Sequence, residues 1–306
     1  MKVHVPKMIE LKELSFAFKN QAPIFSQVNF NFEKACCYGL VGRNGAGKST
    51  LFKLLLGVLR PLQGEILYDG VSVVAKRAHI VRDLGIVWGQ RTSLWWDLSV
   101  KDNLILNGKL HGISQDKIEE FIGSRECSEL IFNLYLSPLR KLSLGQRVLV
   151  DLLAVLSRKP KRLLLDEAFI GLDIHIKGYI FKLIREYRHE VPEATLIVAS
   201  HYSSDLFELC DKLAFLQDKG IKTYQMDELN NQLKKVKLVS KTDDLIIKAS
   251  DKILAFKHEG SSTFEATIFN EGLDQFLGTL DFSKISYVEV CDADMLTLLE
   301  SSGDLD

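Results

Sequence analysis

Gly42-Arg43-Asn44-Gly45-Ala46-Gly47-Lys48-Ser49-Thr50 is the stretch whose reading decides the fold. It fits G-x-x-x-x-G-K-[ST], a loop that cradles phosphate with its backbone. An apolar run, Ala35 to Val41, comes before it, as a buried parallel strand should. An apolar helical run, Leu51 to Leu59, comes after. The glycines let the backbone approach phosphate without Cβ clashes. Amides of the loop (Gly42, Asn44, Gly45, Ala46, Gly47) and of the helix start, up to Thr50, then point at anionic oxygens. Lys48 is placed to neutralise β- and γ-phosphate charge. The Ser49 hydroxyl is placed to hold Mg²⁺, with Thr50 beside it.

Working outward, the 306 residues are enough for two domains, or for one large domain with an appendage. At 46% hydrophobic and 26% charged, the composition is that of an ordinary soluble globular protein. A net charge of −1 gives no basic field for nucleic acid, so none is expected as a partner. The five cysteines form no C-x-x-C pair and are odd in number, which suits free thiols in a reducing cytosol. Residues 1–10 lack the apolar segment of a signal peptide, and no run of 18 apolar residues exists.

Alternating apolar residues in Ile9 to Phe18 and Gln27 to Phe32 predict half-buried antiparallel strands. Further strands are predicted at Glu65 to Tyr68, with an Asp69-Gly70 turn, and at Leu84 to Trp88. Between about residues 91 and 145 the spacing turns helical, which predicts a helical insertion. Strands at Lys161 to Asp166, Ala194 to Ser200 and Leu213 to Leu216 then alternate with helices, the last of them expected to close this body. That order implies a mostly parallel, helix-covered sheet. The fold expected is α/β: a P-loop NTPase core with a mostly parallel sheet, an antiparallel β subdomain, a helical insertion and a small C-terminal α+β appendage. We place the boundary at 1–226 and 227–306. In the second part, Leu229 to Lys237 reads as helix or linker. Short strands follow at 245–248, 253–258, 263–269 and 285–290, with helices at 272–280 and 293–301.

Two more segments carry chemistry. Leu163-Leu164-Leu165-Asp166-Glu167 is an apolar strand ending in two carboxylates. Downstream of a phosphate loop, the first of these is placed to hold Mg²⁺ and the second to polarise an attacking water. Leu142-Ser143-Leu144-Gly145-Gln146 opens an apolar helix. Its hydroxyl and free amides suit an anion, and suit an ordinary N-cap equally well.

These three segments, in this order, resemble the ABC ATPase family. Gly42 to Thr50 matches its Walker A motif, Leu142 to Gln146 its LSGGQ signature and Leu163 to Glu167 its Walker B motif. Gln90 stands where the family has its Q-loop, Gly171-Leu172-Asp173 where it has its D-loop, and His201 where it has its switch histidine. Phe18 stands where an aromatic stacks on adenine, with Phe16 a near alternative. The resemblance covers about residues 9–223. Leu144 replaces the first signature glycine, Ala168 replaces a proline, and Arg43 fills a variable position.

The resemblance implies an ATPase. ATP and Mg²⁺ would be held by Lys48, Ser49, Gln90 and Asp166, with Glu167, His201 and Gln90 serving catalysis. Ser143, Gly145 and Gln146 of a second protomer would close on the γ-phosphate, and Asp173 would act across the interface. A homodimer is implied, or a heterodimer with a similar ATPase. The run Trp88 to Val100 looks like the Q-loop region of bacterial exporter-type ATPases, which pair with a separate integral membrane permease. The adjacent Trp95 and Trp96 either dock that partner or wedge between core and insertion. The implied location is the cytoplasmic side of the inner membrane, held through the permease. The alternative is a soluble mechano-ATPase of the same superfamily acting on the ribosome or DNA; a single ATPase unit and no basic field count against it.

Overall fold

The computed structural model describes residues 7–42, 45–200, 202–226, 233–241, 253–259 and 262–293. Its centre is a six-stranded sheet built from β3 (Cys37–Val41), β6 (Leu84–Trp88), β7 (Arg162–Asp166), β8 (Thr195–Ala199), β9 (Lys212–Gln217) and β10 (Gly220–Gln225). The order is β10-β9-β3-β8-β7-β6. All pairings are parallel except that of β10, which folds back on β9 as an antiparallel edge. The α/β expectation is met.

The central strands read as unbroken apolar runs because both faces are covered. Alternation survives in where the side chains go. Leu163, Leu165, Leu196 and Val198 enter one core, while Leu164, Ile197 and Ala199 enter the other. Truncating Leu164 or Leu165 to alanine would cost about 2–5 kcal/mol.

The first core lies under α3 (Val100–Leu110), α4 (Gln115–Gly123), α5 (Ser128–Leu134), α6 (Leu144–Leu156) and α7 (Ile174–Glu190). The second lies between the sheet, α1 (Lys48–Leu55) and an antiparallel sheet of order β2-β1-β4-β5. That sheet comprises β1 (Lys7–Phe16), β2 (Phe25–Glu33), β4 (Gln63–Tyr68) and β5 (Val71–Ser72). A short α2 (Arg77–Arg82) leads into β6, and α8 (Ser203–Leu209) into β9. The starts of α3 and α7 are fixed by side-chain caps. Ser99 Oγ accepts from the Asp102 amide at α3, and Asp173 accepts from the His175 and Ile176 amides at α7.

The C-terminal residues form a third, antiparallel sheet of order β12-β13-β11-β14. Its strands are β11 (Leu233–Ser240), β12 (Ile253–Glu259), β13 (Thr263–Phe269) and β14 (Ile285–Asp292). The short α9 (Leu273–Gly278) supplies Phe276 to a small core with Val236, Leu238, Phe264 and Ile268. Leu233 and Ala293 pack into the first core instead.

Two expectations need correction. Residues 233–237 are strand, not helix or linker. Val236 and Leu238 point into the small core, while Lys235 meets Glu265 across the ladder at 2.9 Å. The ladder thus gives a charge partner to one of the lysines that made the segment look solvated. Leu213 to Leu216 is not the last strand of the body, because the polar hairpin strand β10 follows it. The strand expected at 245–248 and all but Ala293 of the helix expected at 293–301 lie outside the described residues, as do residues 227–232 at the expected boundary.

Candidate functional site

Strand register places the chemistry. Trp88 of β6 is level with Asp166 of β7, Asp166 with Ala199 of β8, and Ala199 with Leu40 of β3. The chain therefore leaves four neighbouring strands at one height, on the carboxyl edge where open α/β sheets bind ligands. Gln90, Glu167, Ser200 and Gly42 each follow within two residues of that row. At strand spacings of about 4.8 Å, the row from β6 to β3 is roughly 14 Å long.

At the β3 end, the loop turns into α1 at Gly47, whose φ is +102°. A side chain there is excluded twice, by that backbone angle and by Ile24, whose Cγ2 would lie 2.5 Å from an added Cβ. No side chain caps the first amides of α1 and no acidic residue sits in its first turn. The helix start is thus left with donors and a positive dipole end for an anion. Lys48 is buried and donates to the Gly42 carbonyl at 2.6 Å. Burial pushes its ammonium pKa down, against the pull of Glu167 and Asp166, which both lie close enough to favour its charge. Arg43 and Asn44 lie outside the described residues.

Asp166 ends β7 almost wholly buried. Burial raises its carboxyl pKa, and a hydrogen bond from the Ser49 hydroxyl pulls it back. Its Oδ1 is buried with no hydrogen-bond partner. A buried carboxylate oxygen beside a serine hydroxyl and a phosphate-binding loop fits a hard divalent cation, which takes oxygen ligands. Ser49 and Asp166, with Gln90 exposed at the neighbouring strand end, are the groups that would hold it.

Glu167 has φ +54°, a left-handed conformation costly for a side chain this long. Two contacts impose it. Its amide donates to the Ala199 carbonyl at 2.9 Å, and its carbonyl is pressed against Gly89, where an added Cβ would lie 1.8 Å from the oxygen. The Gly89 amide in turn donates to the Asp166 carbonyl at 2.9 Å. Gly89 belongs to no motif that names it as a site residue; its signal in the sequence is its place beside Gln90.

Ser143 caps α6 in a capping box. Its Oγ accepts from the Gln146 amide and its own amide donates to Gln146 Oε1 at 3.0 Å. Gly145 lies against Ile176, and Leu144 is partly buried against the first core. Asp173 spends its carboxylate on capping α7, while Ile174 beside it is 81% exposed. Phe18 is 39% exposed and Phe16 only 6%, with the two rings edge-to-face at 5.1 Å. Of the two aromatics, Phe18 is the one with a face available. His201 lies outside the described residues; Ser200 before it donates to buried Asp205, which also pairs with Lys177 of α7.

The tryptophan pair resolves in favour of exposure, at 46% for Trp95 and 51% for Trp96. Asn103, fully buried on α3, holds the loop open from beneath. It accepts from the Trp95 amide at 2.7 Å and donates to the Trp95, Leu98 and Ser99 carbonyls. Leu94 alone goes into the core. Among the described residues no helix is long and apolar enough to cross a membrane.

Comparison with known proteins gives a family. The family model described as ABC transporter matches residues 25–170. A putative ABC transporter ATP-binding protein of Archaeoglobus fulgidus is 30% identical over 69% of this chain and 87% of its own length. The ABC transporter ATP-binding protein NatA of Bacillus subtilis is 28% identical over 68% and 85%. The solved structure of cbiO1 from Clostridium perfringens, described as part of the ABC transporter complex cbiONQ, superposes with a TM-score of 0.61 at 26% identity over 72% and 89%. Names among the matches point both ways across a membrane. A Nod factor export protein of Rhizobium etli is 28% identical over 68% of this chain and 65% of its own length. A ribose import protein of Hahella chejuensis is 29% identical over 69% and 42%.

Proposed function

The chain belongs to the ABC transporter family as an ATP-binding subunit that hydrolyses ATP, and from that premise we propose that it powers export through a separate membrane permease. The observation that carries the reading is the row of Gly42, Glu167 and Gln90 at one sheet edge, beside an exposed tryptophan loop. Export rather than import is supported by the likeness of residues 88–100 to exporter-type ATPases.

In this reading Lys48 and the α1 amides hold the β- and γ-phosphates. Mg²⁺, held by Ser49 and Asp166 with Gln90 close by, neutralises phosphate charge when bound. Glu167 accepts a proton from water as the water oxygen attacks the γ-phosphorus; the bond to the bridging oxygen breaks, leaving ADP and phosphate. His201 contacts the γ-phosphate, and Phe18 stacks on adenine. Ser143, Gly145 and Gln146 of a second copy close the site, and the exposed Ile174 beside Asp173 is buried in that contact. ATP thus binds the closed dimer more tightly than the open one, and hydrolysis releases it. The sheet of β11 to β14 forms an accessory domain over 227–306. The subunit works from the cytoplasmic side, held to the membrane through Trp95 and Trp96.

The test is isolation from membranes. The native subunit should copurify with a polytopic membrane protein, and Trp95→Ala with Trp96→Ala should release it. Vesicles rebuilt from that complex, with ATP outside, should carry cargo inward if the direction is export. Carriage out of the vesicles would reject the direction, and copurification with no membrane protein would reject the permease.

A further inference from the structure

The helix that begins at the signature serine is fastened to the tryptophan loop at two points. Arg147 of α6 lies with its guanidinium carbon 4.9 Å from the Trp96 ring centroid, and its Nη1 donates to the Leu142 carbonyl at 3.1 Å. Asp151, one turn further on, is 1% exposed. Its Oδ1 accepts from Ser93 Oγ at 2.8 Å and its Oδ2 from the Ser93 amide at 3.3 Å. Ser143, Arg147 and Asp151 recur at i, i+4 and i+8, which puts them on one stripe of α6 about 12 Å long. Opposite that stripe runs the segment that begins at Gln90 and ends in the exposed tryptophans.

A buried carboxylate is a poor choice for stability alone, since an apolar side chain of similar size packs without the desolvation penalty. What Asp151 adds is direction, because its two donors both belong to Ser93. Arg147 adds a cation stacked on an aromatic face and anchored to the carbonyl just before Ser143. The two contacts leave the loop little freedom to shift without the helix.

We propose that Arg147 and Asp151 are positioning residues that make the 92–96 loop and the signature helix a single lever, so that a partner pressing on Trp96 moves Ser143 and closure on ATP is felt at Trp96. The proposal rests on the ATP-closed dimer of the preceding section. Neither residue touches nucleotide; both act through the segments they join. Coupling of this kind is reciprocal, so it can be read from the nucleotide side without the permease.

The experiment uses the full chain carrying Glu167→Gln, with Trp88→Phe and Trp95→Phe leaving Trp96 as the sole tryptophan, excited at a wavelength tyrosine does not absorb. Mg²⁺-ATP is added while mass is followed by sedimentation and Trp96 emission in parallel. The expected result is dimerisation with a change in Trp96 emission. Adding Asp151→Asn, or the gentler Ser93→Ala at an exposed position, should leave the dimer but cut that emission change at least twofold. Neither substitution touches the indole, so a purely local effect on the fluorophore would not reproduce this. In the chain with native Glu167, Asp151→Asn should lower kcat at least fivefold with KM for ATP within twofold. A dimer that forms with no Trp96 response, or with one that Asp151→Asn and Ser93→Ala both leave intact, overturns the lever alone. A chain that stays monomeric overturns the ATP-closed dimer, and the lever with it.

Discussion

The amide of Gly89 donates to the carbonyl of Asp166 at 2.9 Å, tying the segment that carries Gln90 to the strand end that carries both carboxylates. The tie has no slack, because the Glu167 carbonyl fills the space a side chain at 89 would need. Gly89→Ala should therefore lower turnover at least 100-fold and destabilise the fold by about 2 kcal/mol or more, as strain at a special backbone position does. Gly70 is the control. Its φ of +80° also disfavours alanine, but nothing lies within 4 Å of an added Cβ, so Gly70→Ala should cost about 1 kcal/mol and spare turnover. Steady-state ATPase assays and thermal unfolding of the two variants decide it.

Lys48 and Glu167 separate binding from chemistry. Lys48→Ala removes the buried ammonium at the start of α1 and should abolish measurable ATP binding by calorimetry. Glu167→Gln keeps shape but removes the proposed base, so it should lose at least 100-fold in turnover and keep ATP affinity within a few-fold. Turnover within a few-fold of the unmodified chain would reject Glu167 as the base.

Phe16 and Phe18 are neighbours with different fates. Phe16 lies in the core and Phe18 turns its face out. Phe18→Ala should weaken ATP binding roughly tenfold with little change in melting temperature. Phe16→Ala should lower stability by about 3–5 kcal/mol, the usual cost of emptying a core phenyl site. Reversed outcomes would exchange their roles.

Thiol chemistry reads the packing directly. Cys36, Cys37, Cys127 and Cys210 are buried and Cys291 is exposed. Burial pushes the Cys36 thiol up to about 12 and Cys127 to about 11, and raises Cys210 as well. At pH 8 a thiol at about 11 is roughly one part in a thousand thiolate, the reactive form. A thiol reagent should thus label one cysteine quickly in the folded chain and five after unfolding. The same shifts have a sign for stability. A thiol raised in the folded state binds its proton more tightly there, so stability is full below the ordinary value of 9.0 and falls as pH climbs through the folded value. Alkaline melting curves should show that decline.

The parts of this site that were legible in the sequence are those whose chemistry is local. A glycine-rich loop between an apolar strand and a helix, and a strand closing on Asp166-Glu167, state their geometry within a few residues. The register that aligns them depends on pairings far apart in the chain. Gly89 against Glu167 and Ser93 against Asp151 were invisible for that reason. Asn103 gave no hint that it holds two tryptophans outward, because a single asparagine in a helix has no distinctive spacing. Strand β11 was misread because lysine depresses strand propensity, and Glu265, which satisfies Lys235, comes thirty residues later. Strand β10 was missed because its two apolar residues, Ile221 and Tyr224, stand three apart among polar ones and show no alternation.

In the proposed cycle two copies of this chain clamp ATP between the Lys48 loop of one and the Ser143 helix start of the other. Sedimentation velocity of the Glu167→Gln chain with saturating Mg²⁺-ATP tests it most directly. The expected result is a shift from about 35 kDa to about 70 kDa, twice the 34.6 kDa of one chain, that needs ATP and disappears with Lys48→Ala or Ser143→Arg. A sedimenting species that remains at the mass of one chain, with nucleotide demonstrably bound, would contradict it.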